Sequence, residues 1–99
     1  MNQPPLALVI TVRARSGQAE ILAQELKALV AHTRAQTGNL AYFVHRSPAN
    51  SDEFVVYEQW SDAPAMKANE AQSYFVAYLA EARALLAGPP QVTPLTVLT

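Results

Sequence analysis

Cysteine is absent from the 99-residue chain. That removes a disulfide framework, a thiolate nucleophile and any cysteine-built metal site. Histidine is scarce: His32 and His45 stand far apart, with no carboxylate at ligand spacing, so no metal centre is expected. The glycines are Gly17, Gly38 and Gly88 only. They form neither a glycine-rich phosphate loop nor a G-x-S-x-G elbow, so no dinucleotide cofactor is indicated. No apolar run approaches the roughly 20 residues that span a bilayer. The apolar opening, Leu6 to Val12, has no basic leader and no small-residue cleavage site. Charge of one sign is also missing. Seven Lys and Arg face eight Asp and Glu, scattered along the chain for a net charge of −1. Nucleic acid needs a basic face and an acidic membrane surface a polybasic cluster, so neither is an expected partner. A cytoplasmic protein is expected.

What is present is apolar patterning, at 51% of residues. The length suits one domain over residues 1–99, able to bury roughly 65% of its extended surface. Leu6 to Arg13 reads as a first strand. Ser16 offers a helix N-cap, and Glu20 lies near the first turn, where the helix dipole favours it. Leu22, Leu26, Leu29 and Thr33, widened by Ile21 and Val30, make an amphipathic stripe that Gly38 is expected to end. Leu40 to Arg46 is a second strand. Ser47-Pro48-Ala49-Asn50-Ser51-Asp52 is turn chemistry, and Glu53 to Trp60 completes a hairpin.

Ser61 or Asp62 caps a short helix with Pro64 in its first turn. Another helix starts near Ser73, carries Phe75, Tyr78, Leu79, Ala82 and Leu86 on one stripe, and stops at Gly88-Pro89-Pro90. Val92 to Leu98 is a last strand. Pro94 cannot donate a ladder hydrogen bond, so this strand belongs at a sheet edge or carries a bulge. The order β-α-β-β-α-β is the ferredoxin-like split βαβ pattern, an α+β fold with a four-stranded antiparallel sheet and helices on one face. Leu8-Val9-Ile10, Tyr42-Phe43-Val44 and Phe54-Val55-Val56-Tyr57 are continuous rather than alternating. Such runs imply burial on both sheet faces. Helices cover one, and a second copy of the sheet is the simplest cover for the other, which predicts a homodimer packed sheet on sheet.

Gly38-Asn39-Leu40-Ala41-Tyr42-Phe43-Val44, Phe54 to Trp60, Tyr74-Phe75 and Gly88-Pro89-Pro90 together resemble the antibiotic biosynthesis monooxygenase domain, over Leu6 to Leu98. The resemblance implies a dimeric α+β barrel. It also implies cofactor-free oxidation of small electron-rich aromatics, of quinol or anthrone type. Other members degrade haem or isomerise a phosphorylated signal molecule. A non-oxidative isomerase of a small metabolite and a non-catalytic ligand-binding dimer are therefore the alternatives. Many relatives place histidines at the positions of Asn69 and Tyr74. The haem-degrading triad falls on or near Ile10, Asn69 and Leu79, and none matches. The Asn that some polyketide oxygenases carry four residues before the Trp is Val56 here.

Strand alternation puts Val56, Glu58 and Trp60 on one face and Val55, Tyr57 and Gln59 on the other. The resemblance places the first set under the helices, where a cavity would form. Glu58 is then a partly buried carboxylate, a group that burial turns into a proton acceptor near neutrality; its structural alternative is a carboxylate satisfied by amides or an Arg. Trp60 could stack on a planar substrate or simply pack the core. Asn69 and Tyr74 could hydrogen-bond a substrate oxygen or serve as capping and packing groups. Glu58, Trp60, Asn69 and Tyr74 are the candidate catalytic residues. Val56, Phe75, Tyr78 and His45 are the candidate substrate contacts. Arg13, Arg46 and Lys67 are the cations a phosphorylated substrate would need, and they look peripheral.

Overall fold

The computed structural model describes residues 5–99. Seven elements follow in order: β1 (Leu6–Arg13), α1 (Ala19–Arg34), β2 (Asn39–Arg46), β3 (Glu53–Trp60), α2 (Ala63–Glu70), α3 (Ser73–Leu85) and β4 (Gln91–Thr96). The strands form one antiparallel sheet in the order β2-β3-β1-β4. This is the ferredoxin-like arrangement, with the helical crossover after β3 split into two helices. β4, which contains Pro94, lies at an edge, where its missing N–H costs no ladder bond.

Register fixes what each face carries. Val56 stands opposite Ile10 and Val44, and Glu58 opposite Leu8 and Tyr42. Along β3, burial alternates strictly, with Phe54, Val56, Glu58 and Trp60 buried. That period of two marks the face under the helices. Phe54 and Trp60 are fully enclosed there with Leu22 and Leu26 of α1. Each such side chain contributes roughly 1.5–3 kcal/mol by leaving water. The opposite face is half-open: Val9, Val55 and Tyr57 are partly buried and Phe43 is 51% exposed. No helix covers β4, and all six of its residues are exposed.

Several boundaries differ from the sequence expectation. α1 starts after Gln18, whose side chain makes no capping bond, so Ser16 is not its cap. It ends at Arg34, and Gly38 lies beyond its end in the turn into β2. Gly38 is needed there for two reasons. Its φ is +87°, and a Cβ would stand 2.6 Å from the Ala65 Cβ and 2.7 Å from the Ser61 Oγ. The Gly38 carbonyl accepts from the Ser61 N–H at 2.8 Å, which fixes where α2 begins. Asp62 caps α2, its carboxylate accepting from the Ala65 N–H at 2.9 Å. α3 begins at Ser73 without a side-chain cap, and β4 runs from Gln91 rather than Val92 and stops at Thr96. The Arg34 guanidinium donates twice to the Tyr42 carbonyl, at 3.0 and 2.8 Å, and so ties the end of α1 to β2.

Candidate active site

A cavity of about 350 Å³ opens between the sheet, α1 and α3. β1, β2 and β3 send Ile10, Val12, Tyr42, Val56 and Glu58 into it from the sheet. Leu26 and Leu29 of α1 close one side, and Phe75, Tyr78 and Leu79 of α3 the other. Glu70, at the end of α2, Pro90, just before β4, and Val92, within it, complete its rim. The size and apolar lining suit a small aromatic ligand. Hollows at the open sheet face and along the β2 edge hold no buried titratable side chain.

Glu58 is the buried carboxyl of this cavity, 8% exposed. The indole N–H of Trp60 donates to its Oε1 at 3.0 Å. Residues two apart on a strand face the same way, so the pair is built by the local sequence Glu58-Gln59-Trp60 alone. Burial pushes the Glu58 carboxyl above the ordinary range; the Trp60 hydrogen bond partly opposes this, and the charge of Glu70 adds to the rise. Tyr42, directly across the ladder, is raised chiefly by burial and then by the Glu58 charge. Burial, with the Glu25 charge behind it, pushes Tyr78 up to about 12. Both phenols therefore stay neutral donors beside a carboxyl with a strengthened hold on its proton.

The structure distributes the eight sequence candidates unequally. Glu58, Val56, Phe75 and Tyr78 meet in the cavity, with the rings of Phe75 and Tyr78 6.0 Å apart. Trp60 is wholly enclosed and does not line the cavity; it touches the site only by donating its N–H to Glu58. Asn69 is buried and accepts a hydrogen bond from the Tyr74 hydroxyl, which also lies 3.4 Å from the Thr33 hydroxyl. Tyr74 borders a second groove of about 230 Å³ between α1 and α3, where His32 stacks on it; Leu29 and Tyr78 line both this groove and the cavity. His45 projects from the opposite sheet face and is exposed, its Nδ1 3.0 Å from the Val55 carbonyl. Tyr42 and Glu70 are cavity residues that the sequence reading passed over. Cross-strand pairing with Glu58 is the signal that could have found Tyr42. Nothing in the sequence marks Glu70, which is brought to the rim by the packing of α2.

Among the described residues no cluster of three or more His, Asp or Glu could hold a metal ion, and no helix is long and apolar enough to cross a membrane. Residues 5–81 match the antibiotic biosynthesis monooxygenase family. The chain belongs to that family. Among curated proteins it is similar to "Putative monooxygenase YcnE" of Bacillus subtilis, 29% identical over 87 residues that cover 88% of this chain and 92% of that one. Among solved structures it is similar to PA3566 of Pseudomonas aeruginosa, with a TM-score of 0.93 and 34% identity over 100% of this chain and 99% of that one. Rv0793 of Mycobacterium tuberculosis aligns with a TM-score of 0.89 and 26% identity over 96% of each chain. In this member of the antibiotic biosynthesis monooxygenase family, the polar centre of the cavity is the Glu58–Trp60 pair.

Proposed function

We propose that the protein is a cofactor-independent monooxygenase of small electron-rich aromatics, of quinol or anthrone type, with Glu58 as the proton acceptor. The observation that carries this reading is a buried carboxyl with a raised pKa on the floor of an aromatic-walled cavity. A substrate C–H or O–H placed against Glu58 passes its proton to the carboxylate. The resulting carbanion or phenolate is the reductant. It gives four electrons to O₂, one oxygen atom becomes the product carbonyl, and the other leaves as water with two substrate hydrogens. Val56, Phe75 and Tyr78 hold the ring plane, and Tyr42 and Tyr78 offer neutral phenols to a developing oxyanion. Trp60 holds the Glu58 oxygen in place. Asn69 and Tyr74, bound to each other, steady α2 against α3.

The cavity lining contains no Lys, Arg or His. Arg13 and Arg46 lie at other hollows, and each pairs with a glutamate. That disfavours an isomerase of a phosphorylated metabolite, whose substrate needs a cation. Oxygen uptake against a panel of hydroquinones and anthrones tests the oxygenase reading. Consumption above the spontaneous rate, lost in Glu58→Gln, is the expected result. Full turnover in that variant would remove Glu58 from the mechanism, and no uptake with any substrate would favour a ligand-binding dimer.

The homodimer belongs to the same proposal. The helix-free face presents Phe43 at 51% and Leu95 at 43% exposure, beside partly buried Val9, Val55 and Tyr57. Sheet-on-sheet packing of two copies would bury this patch, with His45 at its border. Light scattering of the wild type should give twice the chain mass. Phe43→Asp should shift it toward the monomer by placing a charge in an apolar interface.

A further inference from the structure

The cavity's charge says something about its ligand that its size does not. Glu58 stands on the floor, nearly closed off from water, and Glu70 stands exposed on the rim. The other ionisable groups lining the cavity are the phenols Tyr42 and Tyr78, and no cation faces it. Lys67 lies one turn before Glu70 on α2, yet neither Glu58 nor Glu70 is in an ion pair among the described residues. Glu70 shares the lining of this cavity with the stacked Phe75–Tyr78 pair. A carboxylate next to aromatic rings is the surrounding that an organic ammonium favours, through Coulomb attraction and cation–π contact. A carboxylate or phosphate in the same position would meet the Glu70 charge at the rim and no donor stronger than a phenol.

We propose that this cavity selects its ligand by charge: it takes hydroxylated aromatics that carry a positive group at the end away from the ring hydroxyl, with the hydroxyl on Glu58 and the cation on Glu70. The proposal rests on the cavity being the aromatic site described above, and it names the ligand's second end. Glu70 is then a binding residue that contacts the ligand at the mouth, while Glu58 handles the proton at depth. Neutral phenols bind through the floor alone, and anionic ones are turned away at the rim.

The test needs no turnover. Tyramine, para-ethylphenol and para-hydroxyphenylpropanoate share a phenol and a short chain and differ in charge: positive, neutral and negative. Calorimetric titration of the wild type under argon, at low salt where the screening length is roughly 30 Å, should rank them in that order. Tyramine should bind about fivefold tighter than para-ethylphenol, the scale of a partly exposed ion pair with an aromatic neighbour. Glu70→Gln should erase the preference for tyramine, and Glu70→Lys should reverse the order, with circular dichroism confirming that each folds. Equal affinities for the three in the wild type would overturn the proposal and leave the phenol site standing. An unchanged order in Glu70→Lys would also overturn it. If none of the three binds, the cavity is not a phenol site, and both readings fall together.

Discussion

Two buried polar pairs lie close together in sequence and do opposite things. Trp60 donates to Glu58 on β3, and Tyr74 donates to Asn69 between α3 and α2. Both join an aromatic side chain to an oxygen acceptor two or five residues away, and both acceptors are buried. The first acceptor is a carboxyl that lines a cavity, and burial raises its pKa. The second is an amide whose oxygen is satisfied and whose partner faces a different groove. A titratable group kept from water stores free energy that a substrate proton can draw on. A neutral pair with its hydrogen bond made holds only structure. On the mechanism proposed above, reactivity lies with the pair that can carry a charge.

The sharpest way to break this comparison is to remove the charge while keeping the shape. Glu58→Gln retains an oxygen for the Trp60 N–H and loses the base. Turnover on a confirmed substrate should fall about 10²–10⁴-fold, the usual contribution of a general base. Stability should move the other way. Glu58 has a folded pKa above its unfolded one, so its stabilising contribution is complete below the unfolded pKa and is lost as pH rises through the folded value. The Gln variant escapes that loss. Chemical denaturation at rising pH should show it gaining on the wild type. A variant both inactive and less stable at neutral pH would mean that Glu58 is a structural acceptor like Asn69.

The second pair gives the contrasting result. Tyr74→Phe removes the donor and leaves the Asn69 oxygen buried without its partner, which costs about 1–3 kcal/mol. The loss should be read in the denaturation midpoint. The pH at which turnover is half-maximal should stay where it is, because Tyr74 does not line the Glu58 cavity. A moved pH midpoint would join the two pairs into one site.

How far the sequence could go is visible in the same residues. The alternation Val56, Glu58, Trp60 has a period of two, which set these residues on one face of β3; the resemblance put that face under the helices, where the structure buries it. Pro94 called for an edge or a bulge because a proline has no N–H to give, and β4 lies at the edge. Both inferences use constraints local to one strand. Asn69 and Tyr74 were grouped with the site because the resemblance puts histidines at those positions, and His45 as an imidazole near the aromatics of β2; no local rule says which hollow a helix residue borders. That depends on how α2 and α3 rotate against the sheet, which tertiary packing sets. Helix ends were misjudged for a related reason. Ser16 and Gly38 have capping chemistry, but the chain turns at Gln18 and Ala35, and Gly38 is spent on its close approach to Ala65 and Ser61.

The smallest expected effect bears most directly on how the first pair works. The Trp60 hydrogen bond holds the Glu58 carboxyl below where burial alone would set it. Trp60→Phe keeps an aromatic ring in the enclosed site and deletes the N–H. The Glu58 pKa must then rise further, because the charged form loses a donor and the burial is unchanged. Activity that requires ionised Glu58 increases with pH through that pKa, so the acid limb of the pH–rate profile should move to higher pH. The plateau should persist if the indole acts only through Glu58. A lowered plateau with an unmoved limb would instead give Trp60 a contact of its own with the substrate, and the cavity wall would have to include a ring that stands enclosed behind it.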